Sequence, residues 1–180
     1  MGFALGPLRD CPVTRAANAR LANLRLVRPP LAWARPSVPT FTKQRGSNAL
    51  ARVGLTFERR VEKELTSHVA AGHITRVVHN PWFAFEDASG SATCSPDFLL
   101  WKGPKLYVVE VKLTWVPEAL PKLRGLYVPV LHKVFNVPIV PFVIVRHSAP
   151  GAPPPVFTLS EAMNEFGSVL LWPQNRSIMW

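Results

Sequence analysis

The chain has 180 residues, 48% of them hydrophobic, and carries 21 Lys and Arg against 11 Asp and Glu for a net charge of +10. That length predicts one domain with an appendage and excludes a second sizeable core. The longest apolar run, Pro138 to Val145, ends at Arg146 and falls far short of the roughly 20 residues that cross a bilayer, so a soluble protein with no membrane partner is expected. No charged leader followed by an apolar stretch opens the sequence, which argues against secretion. Cys11 and Cys94 lack the C-x-x-C spacing that holds zinc or an iron–sulfur cluster.

The charge is uneven. Residues 1–52 hold nine basic side chains against Asp10 alone, a local charge of +8 that leaves about +2 for the rest. Residues 1–46, interrupted by Pro7, Pro12, Pro29, Pro30, Pro36 and Pro39, read as a basic arm with one short helix around Thr14 to Leu26. Such an arm suits a polyanion because each phosphate contact releases counterions, and Arg45 and Arg52 are candidate contacts. An organelle transit peptide and a disordered segment are the competing readings. The expected location is therefore the cytoplasm of a bacterium or a phage-infected cell, with organelle targeting left open.

Residues 47–180 read as the folded domain. Leu50, Val53, Phe57, Val61, Leu65 and Val69 recur at three- and four-residue intervals on one helical face from Ser47 on, and Gly72 stops the helix. Ile74 to His79 and Trp82 to Glu86 read as short strands around Pro81, and Asp87 to Ser95 as a turn-rich loop with Gly90. Asp97 to Trp101 and Leu106 to Lys112 read as two strands joined by a turn at Lys102 to Lys105. Pro117 to Phe135 has helical spacing that Pro121 and Pro129 kink or divide. Ile139 to Val145 reads as a buried strand, followed by a Pro-rich loop, a strand near Val156 to Leu159 and a helix opening near Ser160. This order implies an α/β/α sandwich with a mixed central sheet.

Alternation along Leu106 to Lys112 puts Val108, Glu110 and Lys112 on one face and Val109 and Val111 on the other. Two charges thus emerge together from an apolar strand, and Asp97 heads the strand that a hairpin would lay beside it. Oxygen ligands from Asp97 and Glu110, with the backbone carbonyl of Val111, suit Mg²⁺ or Mn²⁺. Lys112 beside them would orient or help deprotonate water and offset negative charge. Lys122, Arg124 and Tyr127 on the following helix are candidate substrate contacts. The histidines show no catalytic spacing, His68 and His73 read as incidental, and Trp82, Trp101 and Trp115 read as core or sheet-edge residues.

Ser95-Pro96-Asp97, followed thirteen positions on by Glu110-Val111-Lys112, resembles the signature of the PD-(D/E)XK nuclease superfamily, and most of all its resolvase-like, Holliday-junction type of endonuclease. Gly54-Leu-Thr-Phe57-Glu58 resembles the glutamate-bearing first helix of those proteins. The resemblance implies a restriction-endonuclease-like fold and Mg²⁺- or Mn²⁺-dependent hydrolysis of DNA phosphodiester bonds. It implies Asp97, Glu110 and Lys112 as the catalytic set and Glu58 as a further metal ligand, with Glu62 competing for that place. RecB-like exonucleases carry Q-x-x-x-Y on the next helix, whereas Leu123-Arg-Gly-Leu-Tyr127 keeps the tyrosine without the glutamine, which favours a structure-specific endonuclease over an exonuclease. The implied partners are branched or double-stranded DNA, a second copy in a homodimer, and a replication or recombination protein. A non-catalytic nucleic-acid-binding subunit that keeps the fold is the reading from outside the enzymes, and the complete Asp97, Glu110 and Lys112 set argues against it.

Overall fold

The computed structural model of the protein describes residues 9–10, 25–26, 49–87, 90–172 and 176–180. Helix α1 (Ala49–Ala70) turns Phe57, Val61 and Leu65, spaced one turn apart, into the core. It ends in a Schellman motif: Gly72 takes φ 75°, and the N–H groups of Gly72 and His73 donate to the carbonyls of Val69 and His68. Val53, expected on the buried face, is 44% exposed. Periodicity marks the apolar stripe of a helix but not how far the sheet runs beneath it.

Along the chain β1 (Arg9–Asp10) and β2 (Arg25–Leu26) precede α1, and β3 (Arg76–His79), β4 (Phe83–Asp87), β5 (Gly90–Cys94), β6 (Phe98–Lys102) and β7 (Lys105–Thr114) follow it. Then come α2 (Ala119–Lys122), a π-helical turn (Leu123–Tyr127), α3 (Val128–Phe135), β8 (Ile139–His147), β9 (Pro155–Val156), α4 (Leu159–Asn164) and β10 (Ser168–Leu171). Among the described residues six strands form one mixed sheet in the spatial order β3-β6-β7-β8-β10-β9. β3, β6 and β7 pair antiparallel, and β7, β8, β10 and β9 pair parallel. α1 and α4 pack on one face against Tyr107, Val109, Phe142 and Ile144. The helix from α2 to α3 packs on the other against Leu99, Leu106, Val108 and Val143. The α/β/α sandwich with a mixed sheet expected from the sequence is the observed fold.

Several elements differ from the sequence reading. The supposed loop at Asp87 to Ser95 contains β5, which pairs antiparallel with β4. Gly90-Ser-Ala-Thr-Cys94 has a turn-like composition and no apolar alternation, so only its partner makes it a strand. Arg9–Asp10 and Arg25–Leu26 add to the two edges of that hairpin. The expected helix at Thr14 to Leu26 otherwise lies outside the described residues, as does Arg45. β10 is an unforeseen strand, four residues long, set between β8 and β9.

Thr158, in an extended conformation, caps α4 with a capping box closed by Glu161. His68 and His73 are not incidental. Buried His68 faces the Ile178 carbonyl through Nε2 at 2.8 Å and His73 Nδ1 through its own Nδ1 at 3.0 Å. Donation by Nε2 to that carbonyl leaves Nδ1 as the acceptor from His73. His73 also stacks on Trp180, so the pair pins residues 178–180 to the end of α1.

Replacing Leu65, fully buried between α1 and the sheet, by alanine should cost about 2–5 kcal/mol. Urea unfolding monitored by circular dichroism would measure it.

Candidate active site

The site lies where β6 stops and β7 continues. β6 has five residues and β7 ten, joined through a tight loop in which Gly103 supplies a φ of 55°. The register pairs Phe98 with Val109, so Asp97, just before β6, falls across from Glu110. Beyond that level β7 has no β6 partner, and the Val111 N–H donates instead to Asp97 Oδ2 at 2.6 Å. An extended residue presents its N–H and C=O to the same neighbour, so the Val111 carbonyl faces the same notch.

Glu110, on the same face of the sheet as Asp97, points towards α2 and is 1% exposed. Its Oε1 accepts from Lys112 Nζ at 2.7 Å and from Lys122 Nζ at 2.9 Å. Its Oε2 is buried and has no hydrogen-bond partner among the described residues. A buried carboxylate oxygen left bare is costly, and it is the kind of atom a hard divalent cation takes. The donor set of Asp97, Glu110 and the Val111 carbonyl therefore fits Mg²⁺ or Mn²⁺ chemically.

Electrostatics follow from this crowding. Burial, and then the charge of Glu110, push the Asp97 carboxyl from its ordinary 3.8 up to about 8, against the pull of Lys112. Burial alone would lower the Lys112 ammonium, but the charges of Glu110 and Asp97 and the bond to Glu110 outweigh it and raise its pKa. Lys112 is thus held as a cation. Beside the two carboxylates it can orient a water and balance charge.

Glu58 makes its own hydrogen bonds outside this ligand set. Among the described residues no group of three or more His, Cys, Asp or Glu side chains is placed to hold one metal ion. Glu58 Oε1 instead accepts from His79 Nε2 at 2.6 Å and from Asn80 Nδ2 at 3.0 Å. Its competitor Glu62 reaches the other ring nitrogen of His79 at 3.1 Å. Burial works to raise the Glu58 pKa, but the bonds from His79 and Asn80 and the charges of His79 and Lys112 lower it overall. The imidazole lies flat on Phe98, 4.7 Å between ring centres, and Asn80 adopts a left-handed φ of 49°. Glu58 and Glu62 of α1 hold His79, a residue whose spacing in the sequence offers no reason to choose it. Charge links this group to Asp97 and Lys112, while its hydrogen bonds run elsewhere.

The expected substrate contacts separate. Tyr127 is 2% exposed, and its hydroxyl donates to the Ser95 carbonyl at 2.9 Å, so it is a buried strut behind Pro96-Asp97 and not a substrate contact. Arg124 is exposed and lies over the ring of Phe166, 5.4 Å from its centre. Arg52 is exposed near the start of α1. Lys122, also expected to contact substrate, turns in to Glu110. Leu123, at the position of the RecB-like glutamine, is fully buried.

No family model matches this chain, and no curated protein is similar to it. Among solved structures it is similar to one described as "Structure of a Type III CRISPR defence DNA nuclease activated by cyclic oligoadenylate", with a TM-score of 0.43 and 18% identity over 76% of this chain. The match spans 19% of that nuclease's length. A likeness this slight carries no argument about activity.

Two outcomes follow. A carboxyl whose pKa rises on folding takes up a proton as the chain folds, so metal-free stability should fall as pH rises from about 4 to about 8. Asp97→Asn keeps an oxygen for the Val111 N–H and removes the charge. At pH 8 without metal it should melt above wild type by at least the roughly 2–4 °C that 1 kcal/mol represents in a domain of this size. The gap should close towards pH 4, as calorimetry would show. Tyr127→Phe should cost about 1 kcal/mol of stability in urea unfolding.

Proposed function

We propose that this chain is a divalent-metal-dependent nuclease that hydrolyses DNA phosphodiester bonds, and more narrowly a structure-specific endonuclease. The observation that carries the reading is the convergence of Asp97, Glu110 and Lys112 at the end of β6, with Glu110 Oε2 buried and bare. The resemblance of Pro96-Asp97 and Glu110-Val111-Lys112 to the superfamily signature supports it independently. The net charge of +10 suits a polyanionic substrate.

Asp97, Glu110 and the Val111 carbonyl would hold Mg²⁺ or Mn²⁺. Such a cation, when bound, polarises the phosphate and lowers the pKa of the attacking water. The chain's own residues do the rest. Asp97 is fixed by the Val111 N–H and by the Tyr127 strut behind Ser95. Glu110 is fixed by two ammonium groups. Lys112, kept protonated by its carboxylate neighbours, offers donors to the water and to a non-bridging phosphate oxygen, where negative charge builds during attack. The His79, Glu58 and Glu62 cluster sits behind this edge and contributes field and rigidity.

Labelled linear, flap and four-way DNA, incubated with Mg²⁺, Mn²⁺ or EDTA, tests the proposal. Cleavage should need metal, favour a branched substrate, and drop by about 10²–10³ in Lys112→Ala. Asp97→Ala should also lose Mn²⁺ binding by calorimetry. A wild-type protein that binds DNA yet cuts none of these with either metal ends the nuclease reading.

A further inference from the structure

The π-turn has a geometric consequence for the site. On an α-helix the residue four before Tyr127, Leu123, would share its face. One extra residue in the turn shifts that partnership to the residue five before. Leu123 is accordingly sealed in the core with no exposure, while Lys122 lies over the Tyr127 ring, 4.9 Å from Nζ to its centre, and reaches Glu110 at 2.9 Å. The turn, and not the sequence spacing alone, brings a second lysine into the site.

Glu110 does not need Lys122 for charge compensation. Lys112 already donates to the same oxygen, Oε1, at the shorter distance of 2.7 Å. Two ammonium groups on one carboxylate oxygen leave a surplus positive charge, and each ammonium has three protons to donate. The Lys122 side chain also remains 22% exposed, so it is reachable from solvent. Lysine suits a contact that must shift, being a point charge on a flexible stem, where arginine's fork would fix one geometry.

Charge counting points the same way. Asp97 and Glu110 as carboxylates balance Lys112 and Lys122, so the site with a divalent cation carries +2. A phosphodiester carries one negative charge and gains a second as hydroxide adds to it. The pair of lysines makes that match, and either alone falls one charge short.

We propose that Lys122 is a second catalytic cation that binds a phosphate oxygen of the nucleic-acid substrate, resting on Glu110 until substrate arrives. This deepens the nuclease reading above and rests on it for the identity of the substrate.

The test uses the full chain with a short DNA duplex. Fluorescence anisotropy in EDTA across a NaCl series would compare wild type, Lys122→Gln and Lys122→Arg, alongside melting curves, Mn²⁺ calorimetry and cleavage at saturating DNA. Lys122→Gln should bind more weakly with a salt slope reduced by about one. It should cut at least about tenfold more slowly and keep its Mn²⁺ affinity. Lys122→Arg should recover the slope and part of the rate. A Lys122→Gln protein with the wild-type slope overturns the proposal, as does one whose whole loss lies in Mn²⁺ affinity, since Lys122 would then only prop Glu110. If the slope depends on Lys122 but wild type cuts nothing, the phosphate contact stands and the nuclease reading falls. If wild type cuts and Lys122→Gln binds and cuts equally well, this inference alone falls.

Discussion

A carboxylate enclosed in a hydrophobic sheet is among the costliest groups a fold can carry, because desolvation takes several kcal/mol that only partners return. Glu110 is such a group, on a strand whose other residues from Leu106 to Val111 are all apolar and buried. The two donors to its Oε1 come from separate elements. Lys112 comes from two residues further along the same strand, and Lys122 comes from the helix packed above it. That helix can hold its place because Leu123, Leu126 and Tyr127 are buried against Leu106 and Val108. One buried charge thereby ties the sheet, the covering helix and the chemistry together. It also leaves one of its oxygens without a hydrogen-bond partner among the described residues and raises the pKa of the neighbouring Asp97 carboxyl.

The notch that receives Asp97 arises from unequal strands. β7 is long because it serves both halves of the sheet, antiparallel to β6 on one side and parallel to β8 on the other. β6 begins only at Phe98, and at Val111 a carboxylate takes the place of a backbone partner. Pro96, just before Asp97, has no N–H to offer a ladder. The chain places reactive groups at a position where a sheet must in any case be left incomplete, so the fold gives up little regular pairing to build the site.

Much of this was readable beforehand. The helix at Phe57 to Val69, the hairpin at Asp97 to Lys112 and the layered fold follow from periods of 3.6 and 2, which are local. The convergence of Asp97 with Glu110 follows from the hairpin register. What could not be read depends on partners distant in sequence. β5 is a strand only because β4 lies beside it, and β10 only because β8 and β9 leave a gap. Tyr127 is a candidate substrate contact by sequence, although its ring is core and its hydroxyl donates to the Ser95 carbonyl. Glu58 looked like a ligand by analogy, and His79, 21 positions away, claims it. The inward turn of Lys122 was hidden for a different reason: an α-helical wheel assumes 3.6 residues per turn, and this helix departs from that where it matters.

A π-turn is an α-helix with one residue too many, accommodated without breaking the helix. The stretch Leu123–Tyr127 therefore acts as a phase setter. Removing one residue there would restore ordinary winding and rotate α2 by about 100° relative to α3, sweeping Lys122 off the sheet while every side chain kept its identity. In this family of shapes, the length of one helical segment is as consequential as any residue in it, and a comparison of related chains that closes the gap at the wrong place would pair Lys122 with the wrong partner.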